Sequence, residues 1–123
     1  MIILVTGGRA FHDREFIFNT LDDLAESIDP DTIEAVIHGN CQGTDRLTDA
    51  WCMSRGVQPI RCPAMWNKIP DAGKHRNRIM ARLRPDLVLA FPGHNGTRDM
   101  IRVARRNKIS VEEVEYAETS DCT

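Results

Sequence analysis

Three short segments of this sequence concentrate the residues able to do chemistry: Thr6-Gly-Gly-Arg9, Gly39-Asn-Cys-Gln-Gly-Thr-Asp45 and Pro92-Gly-His-Asn-Gly-Thr97. Glycines there let a ligand approach the backbone, and the free N–H groups of a helix start attract anions. Arg9 offers fixed positive charge, while Thr44 and Thr97 offer hydroxyls that either cap the next helix or meet a phosphate oxygen. The candidate ligand-binding residues are therefore Thr6, Gly7, Gly8, Arg9, Gly39, Gly43, Thr44 and Asp45, with Pro92, Gly93, His94, Gly96 and Thr97 from the third segment. None of the segments is a Walker A loop, and Gly39-x-x-x-Gly43 lacks the full dinucleotide fingerprint, which counts against ATPase and NAD-dehydrogenase chemistry.

Asp45 and Asp99 fall in the first turns of their expected helices, where the helix dipole favours a carboxylate with or without a ligand. As functional groups, either can accept ribose hydroxyls or act as a general base on water beside a phosphate-holding arginine. Arg76, Arg78, Arg82 and Arg84 share one basic helix. Arg76 falls on the same face as Met80 and next to the preceding loop, so Arg76, with its neighbour Asn77, joins the candidate site and the other three arginines read as solvated. Residues 63–75, including Trp66, Asn67, Lys68 and His75, form a connection longer than usual, a candidate binding loop or lid. Trp66 can stack on a base there or plug the loop to the body. His12, His38 and His94 lack metal-ligand spacing, and Cys41, Cys52, Cys62 and Cys122 form no C-x-x-C pair. No metal, cofactor or disulfide is expected.

The elements that must position these residues alternate strand and helix. Ile2-Ile-Leu-Val5 is an apolar run ending in a turn, and Ile17, Leu21, Leu24 and Ile28 recur on one helical face before Asp29-Pro30. Strands are further expected at residues 35–37, at 57–62 near an edge because Pro59 lacks a ladder donor, at 87–90 and at 109–114. Helices follow Thr44, closed by Gly56 in a left-handed turn, run from Lys74 to Leu83, and include Met100, Val103 and Ala104. Strands too apolar for a one-sided sheet predict an α/β fold: one Rossmann-like, doubly wound domain with a mainly parallel sheet of about five strands. Its ligands would sit beyond the carboxyl ends of the strands, where all three glycine segments converge.

The chain of 123 residues fits one domain, read as residues 1–115 with a polar tail at 116–123. Hydrophobic residues make up 41% and charged residues 28%, ordinary for a globular protein. A formal charge of −2 gives no global positive field, so neither nucleic acid nor a membrane is an expected partner. The start lacks a basic leader and no apolar run is long enough to span a bilayer, so a cytoplasmic location is expected.

Val5-Thr-Gly-Gly-Arg9, His38-Gly-Asn-Cys-Gln-Gly-Thr-Asp45, Arg76-Asn-Arg-Ile-Met80 and Phe91-Pro-Gly-His-Asn-Gly-Thr97 together resemble the SLOG superfamily, and within it the small YspA/YpsA-related branch. That superfamily includes the Lonely Guy phosphoribohydrolases and the DNA-processing protein DprA. The resemblance implies a nucleotide-derived ligand across the loops, with Gly93, Gly96 and Thr97 at its phosphate. The Lonely Guy pattern R-x-x-x-M matches Arg76 to Met80. Its P-G-G-x-G-T-x-x-E pattern meets His94 in place of the second glycine and Met100 in place of the glutamate, and Asp99 stands about 100° round the helix from that position. Three functions follow as expectations. The first is a nucleotide-binding or sensing module. The second is a nucleoside-monophosphate N-glycosidase using Arg76 with Asp45 or Asp99, and the third, by resemblance to DprA, is single-stranded DNA binding through the Arg76 to Arg84 helix. Homodimerisation is common in the superfamily, which leaves a homo-oligomer open.

Overall fold

A computed structural model of the chain describes residues 1–29, 32–66, 68 and 70–117. The elements run β1 (Ile2–Thr6), α1 (Arg14–Ser27), β2 (Ala35–His38), α2 (Thr44–Arg55), β3 (Gln58–Arg61), α3 (Ala72–Arg82), β4 (Leu87–Ala90), α4 (Asn95–Arg106) and β5 (Ser110–Glu113). All strand pairs are parallel, in the order β3-β2-β1-β4-β5. The chain therefore starts in the middle, winds outward to β3, then crosses back to β4. The switch in winding direction falls between β1 and β4, the place where such sheets open a crevice at their carboxyl edge.

Period-two alternation sends successive β1 residues to opposite helical layers. Ile3 and Val5 pack with Ile17, Leu21 and Trp51 under α1 and α2, whereas Leu4 packs with Met80, Met100 and Val103 under α3 and α4. Both faces are covered, which is why the central strands are apolar throughout. The expected edge strand is β3, with Pro59 in register with Val36.

Local signals fix the helix ends. The Asp13 side chain accepts from Phe16 N at the start of α1, and Gly56 closes α2 at φ 72°. Helix α3 begins at Ala72, two residues before the expected Lys74, with Asp71 left-handed at φ 52° ahead of it. The polar tail starts with a docked residue: the Tyr116 ring packs edge-on against Phe11 and Phe16, and its hydroxyl donates to Asp13 Oδ2 at 2.7 Å. Asn67, Cys122 and tail residues 118–123 lie outside the described residues. No helix among the described residues is long and apolar enough to cross a membrane.

Candidate functional site

A cavity of about 680 Å³ opens at the carboxyl edge of the sheet, within the size range of small-molecule sites. Of the candidate residues, Thr6, Gly7, Gly8, Arg9, Gly39, Asp45, Trp66, Arg76, Asn77, His94, Gly96, Thr97 and Asp99 line it. Gly43, Thr44, Pro92 and Gly93 do not; they hold the three loops to one another.

That bracing differs from the role expected of them. The buried Thr44 hydroxyl donates to Gly8 O at 3.1 Å rather than capping α2, and Gly8 N donates to Pro92 O at 2.8 Å. Gly43 sits at φ 73°, and a Cβ there would collide with Arg9 O and lie 2.6 Å from Gly8 O. At Gly93 a Cβ would strike Thr97 Oγ1 and come within 2.8 Å of Gly8 N. The β1 loop is thus clamped between the other two, and these residues make the loop-to-loop contacts that hold it there.

On one side of the cavity stands the start of α4. No side chain caps it, and among the described residues the N–H groups of Asn95, Gly96 and Thr97 find no acceptor. Thr97 is buried on the cavity wall, His94 is exposed at its rim, and Gly96 has nothing within 4 Å of where a Cβ would stand. Uncapped amides at the positive end of a helix dipole make this an anion-competent corner.

Across from it, Arg76 reaches out of α3 toward the β2 loop. Its Nη1 donates to Gly39 O at 2.8 Å and Cys62 O at 3.3 Å, and its Nε donates to Asn77 Oδ1 at 3.2 Å. Gly39 is required for this approach, since a Cβ there would overlap the guanidinium. Nη2 has no partner among the described residues. The next residue along the chain continues the network. Buried Asn77 donates through Nδ2 to Gly96 O at 3.1 Å and to Asp99 Oδ2 at 3.0 Å, so one amide links the arginine, the α4 start and a carboxylate.

Two carboxylates therefore reach the cavity wall. Asp45, 6% exposed, accepts from Cys41 N at 3.2 Å. Burial pushes its carboxyl above the ordinary carboxylate value, against the opposing pull of Cys41 N–H and Arg76. Asp99 faces the cavity while Met100 is fully buried in the α3/α4 core. One residue of helix rotation thus separates a cavity carboxylate from a core methionine. Trp66 is 54% exposed, which makes it a wall rather than a buried plug. It leans on Gly73, and the Arg9 guanidinium stacks 4.7 Å from its ring centre.

Cys41 and His38 are not among the candidate site residues named from the sequence. Cys41 also lines the cavity. His38, fully buried behind it, accepts from Asn40 N through Nδ1 at 3.0 Å, and Nε2 pairs with Asp49 Oδ2 at 2.7 Å. Asp49 is shared with Arg61, whose Nε donates to it at 2.6 Å. The Asn40 contact leaves Nδ1 as the acceptor, so Nε2 carries the proton toward Asp49. This cluster supports the β2 loop from below, outside the cavity.

A sequence profile of the YspA, cpYpsA-related SLOG family matches residues 1–68, the span that holds β1, the β2 loop and Trp66. The Gene 61 protein of Mycobacterium phage D29 is 35% identical over 118 residues, covering 89% of this chain and 92% of that protein. No solved structure matches the chain. The order of strands, the clamped glycine loops and the family profile agree with the motif-level resemblance: the chain belongs to the YspA, cpYpsA-related SLOG family.

Proposed function

We propose that the cavity binds a nucleotide or nucleotide-derived phosphorylated ligand, and that the protein works as a binding or sensing module. The observation that carries this reading is the meeting of the uncapped α4 start and Thr97 with the free Nη2 edge of Arg76 across one cavity. A phosphate at α4 would accept from backbone amides, and Arg76 would add a charge-assisted bond. Trp66, exposed and already stacked with Arg9, offers a face for a base. Incubation with a mixed nucleotide panel, followed by mass spectrometry of retained ligand, tests the reading. Unchanged retention of a nucleoside phosphate supports it, and retention of nothing phosphorylated refutes it.

A second reading, N-glycosidic hydrolysis of a nucleoside monophosphate, is favoured by the two buried carboxylates that line the same cavity. Asp45, whose burial favours the protonated form, would hand a proton to the departing base as its C–N bond breaks. Asp99, oriented by Asn77, would take one from the water that attacks the sugar carbon. Free base and sugar phosphate are the products to detect. Their absence from a panel in which binding is intact leaves the binding module alone.

A further inference from the structure

The net charge of −2 conceals a strong asymmetry. Residues 72–108 hold ten lysines and arginines against two acidic residues. Those two do not neutralise the surface: Asp86 accepts from Ile2 N at the start of β1, and Asp99 turns inward to Asn77. Lys74, Arg78 and Arg82 recur every four residues along α3, and Arg98, Arg102 and Arg106 do the same along α4. All six are exposed, and none is within ion-pair distance of a carboxylate among the described residues. The two helices pack side by side on one face of the sheet, with Arg78, Arg82 and Arg106 lining the groove between them. In the opposite layer α1 is net acidic, with Glu15, Asp22, Asp23 and Glu26 against Arg14.

We infer that the outward α3/α4 face is a docking surface for the phosphodiester backbone of a nucleic acid, read without regard to base. Four helical residues advance about 6 Å, so each ridge presents evenly repeated cations, which suits a polymer of evenly repeated anions better than an irregular protein surface. Five of the six are arginine, whose planar fork matches phosphate oxygens. The exposed apolar residues on α3, Ile79 and Leu83, are too few to enter a bilayer as an amphipathic face does. Apart from Lys74, which also borders the nucleotide cavity, the surface lies outside that cavity, so this inference stands apart from the proposed function. A net charge sums over the whole molecule and does not report such a local field.

Fluorescence anisotropy with a labelled single strand of about 20 nucleotides, and with its duplex, tests it. Binding in either arm supports the inference, and the arm that binds identifies the source of the backbone. Neutralising four phosphates of a single strand predicts roughly a 50-fold loss of affinity between about 50 and about 200 mM salt. Joint replacement Arg78→Gln, Arg82→Gln, Arg102→Gln and Arg106→Gln should weaken binding at least about tenfold, while the matching lysine variant largely retains it. Nucleotide retention in the cavity should be unchanged. Phenylglyoxal modification of the unaltered protein gives a second reading that needs no variant: bound oligonucleotide should protect those four arginines. Absence of binding at low salt, protection confined to Arg9 and Arg76, or equal displacement by a polyglutamate peptide would overturn the inference.

Discussion

Replacement of Asn77 by alanine probes the link on which the site geometry depends. The Asn77 amide satisfies Asp99 Oδ2 and Gly96 O with its nitrogen and Arg76 Nε with its oxygen. Water can replace the amide at Gly96, which is exposed, and at half-buried Arg76 more readily than at Asp99, which is 9% exposed on the cavity wall. The Asp99 contact therefore dominates, and loss of a partner by a buried charged group costs about 2–3 kcal/mol. For a domain of this size that lowers Tm by roughly 6–15 °C, within the stability a native domain has to lose. Urea unfolding of Asn77→Ala, Asp99→Ala and the double variant measures the coupling directly, expected at about 0.5–3 kcal/mol. If Asn77→Ala costs less than about 0.5 kcal/mol and the cycle closes additively, the network is not what holds Arg76 and Asp99 in place.

Gly93→Ala and Gly96→Ala should part company. The first forces a methyl against Thr97 Oγ1 and Gly8 N and lowers Tm, whereas the second meets open space and is neutral or stabilising by up to about 1 kcal/mol while weakening ligand retention. Arg61 beside Asp49 and Arg55 beside Asp22 hold those carboxyls below the usual 3.8, so their stabilisation is full above that value and is lost as pH falls through the depressed native values. Burial moves Asp45 the other way, so its ionisation costs stability as pH rises from 3.8 through the raised native value. Unfolding between about pH 3 and about pH 7 should show Asp49→Asn flattening the acid limb and Asp45→Asn gaining relative stability toward neutrality. Thiol labelling with peptide mapping should modify Cys41 in the native protein, with protection by a bound ligand. Cys52, whose thiol burial pushes up to about 12, should react only on unfolding.

Much of the fold is local in origin, and this is why it can be read from sequence. The apolar run Ile2 to Val5, the four-residue returns of Ile17 and Leu21, Gly56 and Pro59 each report a backbone state that neighbouring residues dictate. The convergence of three loops follows from parallel topology alone. What stays hidden is tertiary. That Gly8 and Arg9 lie against Gly43 and Gly93 is a contact that spans more than thirty residues of chain, and no local signal reports it. Asn77 and Asp99 lie on different helices, and only the α3/α4 packing brings them to 3.0 Å. The docking of Tyr116 depends on Asp13 at the far end of the sequence, and the basic face requires knowing that α3 and α4 share one side of the sheet.

The central claim is that phosphate recognition at α4 and Arg76 defines the ligand. Isothermal titration of the protein with the nucleoside monophosphate retained from the panel, and with the same nucleoside lacking its phosphate, tests it most directly. Binding of the first should fall at least about tenfold for the second and for Arg76→Ala, as loss of a charge-assisted bond requires. Equal affinity for both, or binding indifferent to Arg76→Ala, would contradict it.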